Sequence, residues 1–185
     1  MKLGIRARVE SDAHVADDVE LGDRVYIGHG TNIGSGVRIG AGTSVWHYAN
    51  ILRDVTIGED CMIGAWVQVD PEVRVGNRVR VQPQSILSTS DIGDDVFIGA
   101  GTIITNAPYP PCKRLARALI HDGVVIGSNV LFLPGVTIGR RAVVGSGAVV
   151  TKDVPPEMVA FGNPARVRST RKDYDLRQAE WEAGT

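Results

Sequence analysis

Aliphatic side chains recur at every sixth position over residues 9–87 of this chain. The series is Val9, Val15, Leu21, Ile27, Ile33, Ile39, Val45, Ile51, Ile57, Ile63, Val69, Val75, Val81 and Leu87. A small or β-branched residue lies two positions before each member, and glycine often follows it. Because a helix repeats every 3.6 residues and a strand every two, a period of six indicates a larger repeating unit. We interpret each unit as a short strand with two inward side chains, followed by a sharp corner.

Three such units would close a triangular coil of 18 residues, and successive coils would pair through their main chains at a spacing of about 4.8 Å. The period shifts by one residue after Leu87 and is then interrupted once. It continues at Ile92, Ile98 and Ile104, and resumes at Ile126, Phe132, Ile138, Val144 and Val150. The pattern therefore predicts an all-β fold, a parallel β-helix of about seven coils.

Two segments without the period predict the ends and the excursions of this β-helix. Residues 106–122 contain three prolines and three basic residues, which predicts a loop that leaves the coil and is functional or mobile. Residues 151–168 are expected to cap the open end, so that residues 1–168 form one domain. The tail, residues 169–185, reads as a short helix that starts at Thr170, with Tyr174 and Trp181 docked on a neighbour or the last coil, or loosely held.

Composition narrows the function classes. Hydrophobic residues make up 43% of the chain but aromatic residues only 5%, as expected for a narrow core of Val, Ile and Ala. A net charge of −1, without a basic run before the tail, argues against nucleic-acid binding. The start of the chain is too short and too charged for a signal peptide and no apolar run could span a membrane, so we expect a cytoplasmic protein. Cys61 and Cys112 do not suggest a disulfide framework.

Stacking at 18 residues turns the sequence into a surface map. One corner stacks His29 and His47, the next corner position stacks Gly30, Tyr48, Trp66 and Gln84, and the following outward position stacks His14, Asn32, Asn50, Gln68 and Ile86. Such stacks can be harmless polar ladders. The gathering of aromatic and carboxamide side chains at one edge also indicates a binding patch for a base, a sugar or a pantetheine arm. The candidate substrate-binding residues are Trp46, His47, Tyr48, Asn50, Trp66, Gln68, Gln82, Gln84, Asn106 and Tyr109.

Several segments resemble the left-handed β-helix acyltransferases built from hexapeptide repeats. They are SVWHYANI (44–51), VGNRVRVQ (75–82), IGDDVFIGAGTIITN (92–106), VIGSNVLFLPGVTIG (125–139), VVGSGAVVTKDVP (143–155) and GNPARV (162–167). Within that family, the chain is most similar to bacterial enzymes that acetylate the 3-amino group of UDP- or dTDP-linked amino sugars. The resemblance covers about residues 9–167.

The resemblance implies a left-handed coil, a homotrimer with active sites between subunits, and acetyl-CoA bound along the C-terminal coils. It places the pantetheine arm beside Gly145, Ser146 and Gly147, and the phosphates near Lys152 and Arg166. Small residues let a ligand approach the backbone, and cations offset phosphate charge, so the chemistry agrees. Each glycine taken alone is equally typical of a corner.

The reaction expected from the resemblance needs no protein base. A sugar amine is less basic than lysine, so positioning and a backbone N–H for the oxyanion could carry the rate. A hydroxyl acceptor would need a general base, which contributes about 10²–10⁴-fold. His47 is the candidate for that role, because its neighbours form the patch, while His14, His29 and His121 read as surface residues.

Alternatives from other classes stay open. The subgroup tends to carry Gln-Asn-Asn where this chain has Gln82, Pro83 and Gln84, which leaves the sugar undefined. An O-acetyltransferase is the second hypothesis, and a non-catalytic trimeric scaffold is the third. The segment 44–54 also resembles γ-class carbonic anhydrases, but no histidine lies between His47 and His121, so no zinc site or other metal is expected.

Overall fold

Each six-residue unit forms a short strand followed by a corner in the computed structural model, which describes residues 1–184. The strands are β1 (Lys2–Leu3), β2 (Arg8–Val9), β3 (His14–Val15), β4 (Glu20–Leu21), β5 (Tyr26–Ile27), β6 (Asn32–Ile33), β7 (Arg38–Ile39), β8 (Ser44–Val45), β9 (Asn50–Ile51), β10 (Thr56–Ile57), β11 (Met62–Ile63), β12 (Gln68–Val69), β13 (Arg74–Val75), β14 (Arg80–Val81), β15 (Ile86–Leu87), β16 (Ser90–Ile92), β17 (Phe97–Ile98), β18 (Ile103–Ile104), β19 (Ala118–Ile120), β20 (Val125–Ile126), β21 (Leu131–Phe132), β22 (Thr137–Ile138), β23 (Val143–Val144), β24 (Val149–Val150), β25 (Met158–Phe161) and β26 (Arg166–Thr170). One helix, α1 (Arg171–Glu182), follows them.

Every third strand lies in the same sheet, which gives the coil three walls. Wall A has the order β1-β4-β7-β10-β13-β16-β19-β22, wall B has β2-β5-β8-β11-β14-β17-β20-β23-β25-β26, and wall C has β3-β6-β9-β12-β15-β18-β21-β24. The pairing is parallel, with Tyr26 beside Ser44 and Ser44 beside Met62, except in the terminal antiparallel hairpin β25–β26. The predicted parallel β-helix and its 18-residue stacking are confirmed.

The core is a column of aliphatic side chains from all three walls. Val45, Ile51 and Ile63 are completely buried, and Phe132 is the largest fully buried side chain. A coil of 18 residues leaves room for two inward side chains from each unit, which explains the scarcity of aromatic residues.

The structure has about nine coils, so the predicted count of about seven was too low. The first coil starts at β1, where Leu3 continues the period six residues before Val9. A further strand, β19, lies inside the range 106–122 that was predicted as loop. Its Ile120 is six residues before Ile126, and the excursion therefore spans only the residues between β18 and β19.

The predicted one-residue shift lies between β15 and β16. Arg74 pairs with Asp91, 17 residues later, instead of 18. The excursion begins just after the next coil and is closed at its base, where the Ala116 N–H donates to the Asn106 carbonyl at 2.8 Å. The Asn106 amide also donates to the Thr89 hydroxyl at 3.0 Å.

The predicted C-terminal helix is confirmed, and an arginine holds it against the last coils. Thr170 caps α1 together with Asp173 in a reciprocal capping box. The Arg171 guanidinium donates to the carbonyls of Gly123 and Arg141, while Trp181 is 84% exposed. Within residues 1–184, no helix is both long and apolar enough to cross a lipid bilayer.

Candidate functional site

The three corners of the coil form three edges with different side chains. The corner between walls B and C, which we call the aromatic edge, comprises residues 10–13, 28–31, 46–49, 64–67, 82–85, 99–102, 127–130 and 145–148. The charged edge, between walls A and B, comprises residues 22–24, 40–42, 58–60, 76–78, 93–95, 121–123 and 139–141. The loop edge, between walls C and A, carries the excursion at residues 105–117.

The rings of Tyr48 and Trp66 stack on the aromatic edge. Their centroids are 4.5 Å apart with an angle of 20° between the planes, and the residues are 49% and 60% exposed. Both have positive φ, at 58° and 61°. Left-handed backbone is unusual for bulky residues and costs free energy, and such strain clusters at functional sites. Two exposed aromatic residues strained on adjacent coils therefore mark this edge.

Gly30 makes room for this stack. It occupies the equivalent corner one coil earlier, at φ 62°, and a Cβ there would collide with the ring of Tyr48. Gln84 continues the column on the other side of Trp66, also with positive φ. The structure thus brings together Gly30, Tyr48, Trp66 and Gln84 as the stacking predicted.

A second group of rings supports the stack from the side. Trp46 and His47 meet edge to face at 5.9 Å, and Tyr26 lies 6.4 Å from each of them. Trp46 is 45% exposed. These edge-to-face contacts hold the rings in defined orientations.

The ring of His47 is oriented by the coil before it. Its Nδ1 accepts a hydrogen bond from the His29 backbone N–H at 3.0 Å. The two imidazole rings lie 5.5 Å apart, tilted by 30°. The orientation of His47 is therefore fixed by the backbone of the preceding corner.

His29 lies between two carboxylates that the sequence analysis did not select. Its Nδ1 is 2.8 Å from Asp12, and its Nε2 is 3.6 Å from Glu10. The hydrogen bond with His29 lowers the pKa of the Asp12 carboxyl below its ordinary value. Glu10 also pairs with Arg8 at 2.7 Å. The signal was present in the sequence, since Asp12 occupies the corner one coil before His29.

The carboxamides of wall C lie beside the aromatic edge and partly bond to each other. The Asn32 amide donates to the Asn50 carbonyl at 2.8 Å, and the Gln68 amide donates to Asp70 at 2.8 Å. Gln82 lies on the edge itself, one corner position from Pro83. The predicted carboxamides Asn50, Gln68 and Gln82 therefore surround the stack of rings.

Two predicted residues lie elsewhere. Asn106 and Tyr109 belong to the loop edge, across wall C from the aromatic edge, and Tyr109 is 84% exposed. Within one copy of the chain they do not join the ring cluster.

The C-terminal half of the aromatic edge carries only small residues. Its corners read Gly-Ala-Gly at 99–101, Gly-Ser-Asn at 127–129 and Gly-Ser-Gly at 145–147. Gly147 has φ 70°, and a Cβ there would meet no atom within 4 Å. The Ser146 hydroxyl accepts the Ser128 N–H at 3.1 Å and lies against the backbone. This half of the edge is therefore a flat strip of accessible backbone.

The structure separates the two cations predicted to bind phosphate. Arg166 pairs with Phe161 in the terminal hairpin, and the Phe161 side chain covers Gly145, so Arg166 lies near the end of the flat strip. Lys152 instead lies on the loop edge, one corner away.

Family models match this chain over most of its coils. Residues 36–71, 54–89 and 117–152 match the bacterial transferase hexapeptide model, and residues 15–46 match the hexapeptide repeat of succinyl-transferase. The chain belongs to the hexapeptide-repeat transferase family. The predicted left-handed β-helix is that of this family.

Two relatives show the range of reactions in the family. A galactoside O-acetyltransferase of Lactococcus lactis is 35% identical over 94 residues, which cover 46% of this chain and 45% of the relative. A 2,3,4,5-tetrahydropyridine-2,6-dicarboxylate N-acetyltransferase of Staphylococcus aureus is 41% identical over 75 residues, covering 40% of this chain and 30% of the relative. The chain spans less than half the length of the curated relatives it matches.

A solved structure of this family carries a cofactor. The hexapeptide-repeat acetyltransferase of Vibrio cholerae, complexed with acetyl coenzyme A, matches with a TM-score of 0.56 and 27% identity. The match covers 74% of this chain and 72% of the other.

Proposed function

We propose that this hexapeptide-repeat protein transfers the acetyl group of acetyl-CoA to the amino group of a nucleotide-linked amino sugar. The observation that carries the proposal is the division of one edge into two parts. Its N-terminal half presents strained, exposed rings, and its C-terminal half presents a flat strip of small residues. The two halves suit an acceptor and an extended thioester, respectively.

The flat strip suits the pantetheine arm of acetyl-CoA. Glycine, alanine and serine corners let an extended chain approach the backbone, where N–H groups could hold the oxyanion that forms on the thioester. Five coils separate Gly147 from Tyr48, or about 24 Å at the usual strand spacing. A thioester bound along the strip would thus point toward the rings. The acetyl-CoA of the Vibrio cholerae relative supports this cofactor.

The ring cluster suits the nucleotide of the acceptor. A base stacked on an aromatic side chain gains about 1–3 kcal/mol, and such stacking tolerates different bases. Asn50, Gln68 and Gln82 beside the stack offer donors and acceptors for ribose or sugar hydroxyls. An exposed, preoriented Tyr48–Trp66 stack is more consistent with this role than with a solvated surface.

An amine acceptor suits the lack of an obvious base at this site. The nitrogen of a sugar amine is nucleophilic when neutral, and attack on the thioester transfers acetyl to nitrogen while the CoA thiolate leaves. The proton that the nitrogen loses can pass to that thiolate, which releases free CoA thiol. Orientation of the two substrates then supplies much of the rate.

We also propose a homotrimer in the cytoplasm, with sites between subunits. The outward positions of wall C change from Asn32, Asn50 and Gln68 to an apolar run in the C-terminal half. That run is Ile86, Ile103, Leu131 and Val149. Wall A instead carries charged residues such as Glu20, Arg38, Arg74 and Asp91. A contiguous apolar strip marks an interaction surface, and a neighbour there would bring Asn106, Tyr109 and Lys152 of one copy toward another.

A second candidate function is acetyl transfer to a hydroxyl. The observation that favours it is the Asp12–His29 pair, because a carboxylate on Nδ1 leaves Nε2 as a possible base, as an alcohol would require. The name of the Lactococcus lactis relative also belongs to this class.

Release of free CoA thiol from acetyl-CoA tests both candidates. The acceptors are UDP- and dTDP-linked amino sugars and the same nucleotide sugars with a hydroxyl in place of the amine. We expect release only with the amines, at a rate reduced by Trp66→Ala and unchanged by Arg78→Ala on the charged edge. Release with the hydroxyl sugars alone would establish the second candidate, and release with neither would refute both.

A further inference from the structure

His47 occupies a slot that recurs along the edges of this β-helix. In that slot, a corner side chain accepts the backbone N–H of the corner one coil earlier. Asn77 accepts the Glu59 N–H at 2.9 Å, Ser146 accepts the Ser128 N–H at 3.1 Å, and His47 accepts the His29 N–H at 3.0 Å. The slot therefore requires an acceptor atom, which asparagine, serine or a histidine nitrogen supplies.

Filling this slot decides where the His47 proton lies. A backbone N–H can only donate, so Nδ1 must hold its lone pair, and the neutral ring carries its proton on Nε2. Protonation of Nδ1 would set two N–H groups against each other across a 3.0 Å contact. A general base would need the opposite arrangement, with the proton on Nδ1 and a lone pair on Nε2.

From this geometry we infer that His47 is not a base but a hydrogen-bond donor, which holds an uncharged oxygen of the acceptor substrate through Nε2–H. The inference deepens the proposed function and rests on it for the identity of the acceptor. Unlike Asn77 or Ser146 in the same slot, histidine has a second nitrogen beyond the backbone contact. That nitrogen belongs to a half-buried ring held between Trp46 and Tyr48.

Charge favours an uncharged oxygen over a phosphate at this point. Among the described residues of the aromatic edge there is no lysine or arginine, while Glu10 and Asp12 lie against the neighbouring His29. Arg8, on wall B, is already paired with Glu10. A phosphate would therefore meet net negative charge, whereas a base carbonyl or a sugar hydroxyl would not.

Two substitutions separate the slot from the donor. In His47→Asn, the side-chain oxygen can keep the contact with the His29 N–H, as Asn77 does at its own corner, but the donor at Nε2 is lost. In His47→Gln, the longer amide can present an N–H near the position of Nε2. Kinetics with acetyl-CoA and the best amino-sugar acceptor, thermal unfolding and pH–rate profiles are measured for each.

We expect His47→Asn to raise the acceptor KM about 3- to 10-fold, while turnover, the acetyl-CoA KM, the melting temperature and the acid limb of the pH–rate profile stay unchanged. His47→Gln should restore part of the acceptor KM. A loss of turnover by about 100-fold or more in both variants, together with loss of the acid limb, would show that His47 is a base. Wild-type kinetics in His47→Asn would show that the ring only fills the slot.

Binding without turnover separates this inference from the proposed function. UDP and dTDP are titrated against the wild type and His47→Asn. Weaker binding by the variant would support the donor role even if no amino sugar were acetylated. Equal binding together with equal acceptor KM would overturn it even if acetylation were established.

Discussion

The aromatic edge and the charged edge share one backbone geometry but use it differently. On the charged edge the left-handed corner positions hold charged residues that pair with each other, as Arg78 does with both carboxylate oxygens of Asp95 at 2.7 and 2.8 Å. On the aromatic edge the same positions hold Tyr48 and Trp66, whose rings stack and remain about half exposed.

The difference shows which features the fold itself requires. A corner needs a residue that tolerates left-handed backbone and, in the slot beside it, an acceptor for the preceding N–H. Asp95 and Asn77 meet those needs at little cost, because Asp and Asn are common in that conformation. Tyr48 and Trp66 are strained there without an ion pair in return, so we attribute them to ligand binding.

The largest effect should come from breaking the ring stack. Trp66→Ala is expected to lower kcat/KM for the amino-sugar acceptor about 10- to 100-fold, because base stacking on an aromatic residue contributes about 1–3 kcal/mol. Arg78→Ala, at the equivalent position of the charged edge, is the matched control and should leave kinetics unchanged. Equal losses in both variants would refute the functional distinction between the edges.

A smaller effect is expected at the flat strip. Gly147→Ala adds a methyl group to open space at φ 70°, so it should raise the acetyl-CoA KM several-fold and cost about 1 kcal/mol of stability. Gly123→Ala, at φ 67° on the charged edge, should cost similar stability with no change in KM. An acetyl-CoA KM that stays at the wild-type value in Gly147→Ala would place the cofactor elsewhere.

The smallest effect is a pH dependence of stability, which both edges should share. Arg78 lowers the pKa of Asp95, and His29 lowers the pKa of Asp12, in each case mainly through a hydrogen bond. A lowered pKa contributes stability above the unfolded value of about 3.9, and this is lost as pH falls through the folded value. Melting temperatures of Asp95→Asn and Asp12→Asn should therefore lie slightly below wild type at pH 7 and converge with it below about pH 3.

Only the aromatic-edge variant of that pair should also affect acetylation. Asp12→Asn changes the partner of His29, next to the proposed acceptor, whereas Asp95→Asn changes a pair on the other edge. Melting temperatures that stay apart below about pH 3 would contradict the assigned pKa directions.

The sequence was sufficient to predict the walls, the stacking and the ring cluster. A six-residue period places every side chain inward, outward or at a corner, so Gly30, Tyr48, Trp66 and Gln84 had to stack. The same arithmetic could have placed Leu3 and Ile120 in strands, since each continues the series by one unit. It could also have assigned Lys152 to the loop edge, one corner after Ser146.

Other features depend on side-chain torsions that the period does not determine. The corner position of His47 follows from the sequence, but the acceptance of the His29 N–H by Nδ1 depends on the rotation of the ring. The Asp12–His29 contact likewise needs two exposed side chains to turn toward each other. The roles of Asn106 and Tyr109 depend on packing between copies of the chain and stay predictions.

Tryptophan fluorescence during titration with UDP and dTDP tests the central claim most directly. Two of the three tryptophans, Trp46 and Trp66, lie on the aromatic edge, and Trp181→Phe removes the third, which lies on the C-terminal helix. In that background we predict a saturable change with nucleotide, strongly reduced by the further change Trp66→Ala and retained in Arg78→Ala. A signal that does not saturate, or that survives the loss of Trp66 with unchanged affinity, would contradict a nucleotide site at the aromatic edge.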